Sequence, residues 1–189
     1  QALCRPIGRY FIDSHIEEEF VKELQHIEKS DNKKIVIVAD IEDEDVRLKS
    51  MIEEFVAGLK YSVKIYNIRK FEFAGGCLGC FNCAGNGKCI YNDNFDNFLR
   101  GNIQSGDAII YAFTIKDHSM GSLFKMFDDR QFCNGHRTVT QGSPVGYIIN
   151  GDINKENNLK TILQARAEVG GNYLSGIAYD NETIKTTIE

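Results

Sequence analysis

Three short runs carry apolar side chains with almost no polar alternation: residues 34–39 (KIVIVA), 107–113 (DAIIYAF) and 144–150 (PVGYIIN). A strand with one wet face alternates polar and apolar residues. A strand that is apolar throughout must be covered on both faces, which is how a parallel sheet between two helix layers reads. The segments between these runs have helical period, as in Leu48, Ile52, Phe55, Val56 and Leu59. Residues 61–68 alternate as a further strand, and 174–179 suit a last one. Helices are expected around Phe95, Phe98 and Leu99, over 121–132 and over 155–169. Strands alternating with helices imply right-handed βαβ crossovers and an open parallel sheet. In such a sheet ligands sit beyond the carboxyl ends of the strands, so the loops after Ala39, Ile68, Phe113 and Asn150 are the ones to inspect.

Composition narrows the functional classes. The chain has 189 residues, 42% of them hydrophobic, enough for one core without disulfides or metals. Its 22 basic and 27 acidic residues give a formal charge of −5, which argues against a protein that tracks nucleic-acid phosphates. No apolar run reaches membrane-spanning length and no secretory signal opens the chain, so a cytoplasmic protein is expected. Residues 1–32 read as an N-terminal extension or linker with one helix, and 33–189 as the main domain. A Ser14-x-x-Glu17 capping box followed by Phe20, Leu24 and Ile27 marks that first helix. The chain opens on Gln1 rather than Met, so an upstream domain in a longer polypeptide is expected.

Four of the six cysteines, Cys77, Cys80, Cys83 and Cys89, fall within thirteen positions with the spacing C-x2-C-x2-C-x5-C. Crowding of this kind inside an ordinary-sized domain suggests metal or redox chemistry rather than a secreted disulfide scaffold. Thiols at successive two-residue gaps suit a 4Fe-4S cluster. A tetrahedral zinc site, reduced thiols packed at the sheet's rim and disulfides are the alternatives. Cys4 and Cys133 read as inert, since a free cysteine behaves as a small hydrophobe.

The block from Cys77 to Asp93, C-x-G-C-x-x-C-x-x-x-G-x-C-x-x-x-D, resembles the flavodoxin-like NAD(P)H-dependent FMN reductases and their iron–sulfur flavoprotein relatives. Residues 119–130 (SMGSLFKMFDDR) are similar to that family's helix ending Leu-Lys-x-Phe-x-Asp-Arg, with Phe124, Lys125, Phe127, Asp129 and Arg130 matching. The strand at 144–150 resembles the family's Lys-Pro-Val strand. The resemblance covers roughly residues 33–180. It implies an α/β flavodoxin-like three-layer sandwich with a five-stranded parallel sheet, to which this chain adds an N-terminal helix. It also implies bound FMN, NAD(P)H as donor, a small-molecule redox donor or acceptor, and a homodimer with neither nucleic acid nor membrane as partner. Thr114, Ile115, Lys116, Gly151 and Asp152 fall where the family contacts the flavin ring, and Cys77, Cys80, Cys83 and Cys89 where iron–sulfur members hold the cluster. The function implied is an oxidoreductase or electron carrier. The competing reading is a regulatory or interaction module that kept the fold and lost the flavin.

That competing reading has a physical basis. The family grips the FMN phosphate with a Ser/Thr- and Gly-rich loop after the first strand, where hydroxyls, amides and a helix N-terminus form an anion site. In this chain five of the six residues from Asp40 to Asp45 are acidic and none is Ser, Thr or Gly. Each carboxylate about 6 Å from a phosphate charge costs on the order of 1 kcal/mol even at bulk-water dielectric. Carboxylates suit a helix N-terminus, so Asp43 or Asp45 is expected to cap the next helix in the phosphate's stead, with Arg47 relieving some repulsion. The family's Ser-Pro-x-Tyr after the third strand is replaced by Phe113-Thr114-Ile115-Lys116, and His118 nearby is a candidate proton donor.

Overall fold

The computed structural model describes residues 31–134, 137 and 139–188. The capping box at Ser14, the helix it opens and Cys4 lie outside the described residues. Strands β1 (Asp31–Ala39), β2 (Tyr61–Asn67), β3 (Ala108–Thr114), β4 (Pro144–Asn150) and β5 (Tyr173–Ala178) form one sheet in the order β2-β1-β3-β4-β5, every pair parallel. This is the flavodoxin-like order, with its switch point between β1 and β3. The expected strands at 34–39 and 144–150 lie within these elements, and that at 107–113 is β3 shifted by one residue.

Period-two alternation explains why the apolar runs show no polar gaps. Ile35, Ile37, Ala39, Ile110, Ala112 and Ile148 point to one face, where Leu48, Met51, Ile52, Phe55 and Val56 of helix α1 (Val46–Gly58) cover them. Val36, Val38, Ile109, Phe113, Val145, Tyr147 and Ile149 point to the other. There they meet α3 (Phe95–Phe98), α4 (Ser122–Arg130) and α5 (Asn157–Gly170) through Phe95, Phe124, Phe127, Leu159 and Leu163. Both residue parities are therefore apolar, because both sides of the sheet are dry.

Four details depart from the sequence reading. The helix expected over 121–132 stops at Arg130 and tightens into a 3-10 turn over Gln131–Asn134. Leu59 is buried but lies just past the end of α1 rather than on it. A single helical turn, α2 (Cys83–Asn86), forms inside the cysteine loop. A last helix, α6 (Asn181–Ile188), buries Ile184 against the α1 face and was not expected. A mostly polar octet gave no clear helical period to read. No helix among the described residues is long and apolar enough to cross a membrane.

Phe127 is fully buried and its ring stacks against Phe95, Phe124 and Tyr111. Phe127→Ala is expected to destabilise the domain by about 3–5 kcal/mol, read as a lower urea midpoint with little change in slope. A loss under about 1 kcal/mol would show that this face is not the packed core described here.

Candidate functional site

The polar groups at the carboxyl ends of β1 to β4 are bonded to one another. Asp40, at the end of β1, is 3% exposed and forms an ion pair with Arg69 Nε at 2.6 Å. Arg69 Nη2 also reaches Glu42 Oε1 at 2.5 Å, and Lys116 Nζ meets the same oxygen at 2.6 Å. Burial raises the Asp40 pKa, against the pull of Arg69 and Lys116. The hydrogen bond from Lys116, helped by Arg69, holds Glu42 below its ordinary value. Relief of the acidic run thus comes from Arg69 and Lys116. Arg47, the residue expected to supply it, is exposed, and its charge acts on Asp180 instead. Arg69 was not anticipated. It follows Asn67, whose amide side chain holds both Ile41 N (3.3 Å) and Ile41 O (3.0 Å) across the sheet.

Asp45 occupies the N-cap position of α1 but makes no capping bond there. Its carboxylate turns back instead. Oδ2 accepts the Glu42 N–H at 2.8 Å, and Oδ1 accepts the Thr114 hydroxyl at 2.8 Å. Thr114 Oγ1 in turn accepts the Asn150 amide at 3.2 Å. The capping role expected of Asp43 or Asp45 is therefore not what the structure shows for Asp45: an amide of its own loop and a hydroxyl at the end of β3 take the carboxylate in place of the helix amides.

The expected ring-contact residues are committed in the same way. Thr114 bonds Asp45 and Lys116 pairs with Glu42. The Ile115 N–H bonds Asn150 O at 3.0 Å. Gly151 sits at φ +144°, and a Cβ there would lie 2.9 Å from Ile115 Cδ1, so the loops after β3 and β4 close on each other. Asp152 caps the 3-10 turn Ile153–Lys155 by accepting Asn154 N–H at 3.1 Å. His118 is 88% exposed on a two-residue hairpin turn, where Asp117 (φ 48°) and His118 (φ 59°) both take left-handed backbone. Its Nδ1 contacts Glu156 Oε1 at 2.9 Å. A phosphate does not fit the loop after β1 as it stands, because the Asp45 carboxylate holds the Glu42 N–H and the Thr114 hydroxyl and the residues around it are acidic.

The cysteine loop is built differently. Its two ends meet over Arg130, which is 1% exposed on α4. Arg130 Nη1 donates to Gly75 O and to Asp93 Oδ2, and Nη2 to Asp93 Oδ1, each at 2.8 Å. Asp93 also accepts the Ala74 N–H at 3.0 Å and the Phe95 N–H at 3.3 Å. The guanidinium lies between the Tyr91 and Phe95 rings, 4.9 and 4.6 Å from their centroids. Burial works against the Asp93 charge, but the bonds from Arg130 and the Ala74 amide prevail and hold its pKa below the ordinary carboxylate value.

Within the loop Cys77 and Cys80 are exposed, while Cys83 and Cys89 are half-buried against the core cluster that contains Cys133. The Cys83 thiol donates to Phe132 O at 3.4 Å, and Arg100 bridges Gly87 O and Cys133 O. Burial pushes the Cys133 thiol up to about 12, as suits an inert packing residue. The four loop thiols are free, and no group of three metal-ligating side chains converges among the described residues. The donor set has the right chemistry for a cluster, but its sulfurs are not gathered.

No protein-family profile matches the chain. Two curated proteins named iron–sulfur flavoprotein are similar to parts of it. The Archaeoglobus fulgidus protein is 32% identical over 73 residues, 39% of this chain and 33% of that protein. The Clostridioides difficile protein is 35% identical over 54 residues, 29% of this chain and 24% of that protein. The matches thus span a third or less of these relatives' own lengths. Among solved structures, the NAD(P)H:quinone oxidoreductase of Methanothermobacter marburgensis superposes with a TM-score of 0.57 at 11% identity, covering 84% of this chain and 92% of that one. At that identity the likeness is one of fold.

Asp93→Asn leaves the Arg130 charge buried without its partner and is expected to cost about 3–5 kcal/mol in urea unfolding. Because the folded pKa of Asp93 lies below its unfolded value, its stabilisation is present above about pH 4 and is lost as pH falls through the folded value. The wild-type midpoint should drop more steeply than that of Asp93→Asn between roughly pH 5 and pH 3. Parallel curves would refute this assignment.

Proposed function

We propose that this chain, which resembles iron–sulfur flavoproteins in sequence and an NAD(P)H:quinone oxidoreductase in fold, is a redox protein of the NAD(P)H-dependent FMN reductase type whose electron-handling centre is the cysteine loop. The observation that carries this reading is the loop's construction. Four thiols lie on a loop whose two ends are held together by a buried Arg130–Asp93 pair, which supports their acting as one centre. Cys77, Cys80, Cys83 and Cys89 would hold a 4Fe-4S cluster, which supplies one-electron transfer when bound. Cys83 and Cys89, packed on the core, would supply the fixed half of that ligand set, and the exposed Cys77 and Cys80 would supply the rest. Gly79 (φ +63°) between the exposed pair supports such a tight turn. The partners proposed are NAD(P)H or another small-molecule redox donor or acceptor and a second copy of the chain, and the site of action proposed is the cytoplasm.

Anaerobic reconstitution with ferrous iron and sulfide tests this. The expected product is brown, carries about four irons and four sulfides per chain, and loses both in Cys80→Ser. A colourless protein whose loop thiols all still react with a thiol reagent overturns the reading, as does stoichiometric zinc in place of iron.

A second reading is favoured by the strand ends: the fold is retained there without flavin. Thr114, Ile115, Lys116 and Asp152 among the candidate ring contacts already have protein partners, and the loop that would hold the phosphate is acidic. Titration with FMN should show no saturable fluorescence quenching up to roughly 100 µM. Replacing Asp43, Glu44 and Asp45 with Ser, Gly and Asn should raise the affinity. Tight binding by the unaltered protein would restore FMN as its cofactor.

A further inference from the structure

We propose that Asp45 is a tethered replacement for a phosphate: its carboxylate fills the anion position at the β1/β3 switch point, so the site is satisfied by the chain itself. The inference rests on the strand-end reading and stands apart from the cysteine loop, since no residue is shared between them.

Three observations converge on Asp45. First is its place. It ends the loop between β1 and α1, at the N-cap of a 13-residue helix, beside the junction of β1 and β3 where the strand order reverses. That is where an open parallel sheet receives a ligand. Second is its bonding. A carboxylate at an N-cap ordinarily accepts an amide of its own helix, whereas Asp45 leaves those amides and takes a loop N–H and a hydroxyl from β3. A loop amide and a Thr hydroxyl are the donor types that greet a phosphate oxygen. Here each meets one carboxylate oxygen. Third is what stands behind the donors. Asn150 on β4 donates to Thr114, orienting the hydroxyl so that its proton points at Asp45. The chain thus builds two donors for an anion, one from the loop after β1 and one from the end of β3, and then supplies the anion.

The charges nearby agree with this assignment. Arg69 and Lys116, the cations closest to the switch point, are spent on Asp40 and Glu42. Lys49 Nζ donates to Asp43 O. With Asp45 in place an incoming dianion meets its carboxylate and finds no uncommitted cation among these groups. Remove the Asp45 side chain, and the Glu42 N–H and the Thr114 hydroxyl face a gap the size of a carboxylate. A small monoanion restores both the bonds and the charge.

Anion rescue of the full chain tests this. Asp45→Gly is expected to melt roughly 4–8 °C below the wild type, the loss of bonds to a charged acceptor. Sodium formate should recover at least half of that shift, while sodium chloride at equal ionic strength should not. The wild type should gain no more from formate than from chloride. Thr114→Val should also lose stability but gain nothing from formate, because Asp45 still fills the place. If Asp45→Gly is not recovered folded, its refolding yield in formate against chloride gives the same reading. Equal effects of formate and chloride on Asp45→Gly, or formate rescue of Thr114→Val to the same degree, overturn the proposal. Failure of cluster reconstitution leaves it standing, and failure of anion rescue leaves the cysteine loop's role standing.

Discussion

The buried ion pair between Arg130 and Asp93 is the constraint on which the chemistry-bearing part of the molecule depends. A guanidinium that is 1% exposed must have its charge met within the protein. Asp93 does so bidentately, Gly75 O takes a further bond, and two aromatic rings cover the faces. The consequence is topological. Residues 75 and 93 are brought together, and everything between them becomes a closed loop seated on α4. Thus the helix after β3 decides where the cysteines after β2 can go. The Phe71, Phe73 and Phe98 rings extend the same anchoring into the core on the β2 side.

The strand ends follow a different rule. A parallel sheet leaves its carboxyl ends lined with backbone and side-chain polar groups that need partners, and a ligand commonly supplies them. Here the partners come from the chain. Asn67 holds Ile41, Arg69 and Lys116 hold Asp40 and Glu42, and Asp45 holds Thr114. Five carboxylates in six positions look from composition alone like a purely repulsive surface. In space, three of the five are engaged by named donors or cations.

The two sites differ in how their polar groups are met. At the strand ends several polar groups are met by internal bonds, whereas in the cysteine loop two of the four thiols face solvent. A redox centre at the loop would therefore draw on none of the strand-end groups. It also explains how a chain can be similar in sequence to iron–sulfur flavoproteins while departing from a phosphate-binding loop.

By itself the sequence determined the architecture. Apolar runs at 34–39, 107–113 and 144–150 can only be strands covered on both faces, and the helical periods between them set the crossovers, because burial of apolar surface follows residue order directly. The cysteine spacing and the acidic run were legible for the same reason: both are local. What only the tertiary structure decided is who meets whom across the sheet. Arg69 lies 29 positions from Asp40, and Thr114 lies 69 positions from Asp45, and no periodicity announces such pairs. Carboxylates carry no record in sequence of whether a cation or a hydroxyl from a neighbouring strand will reach them. That depends on strand order and register, which arise only when the sheet is assembled.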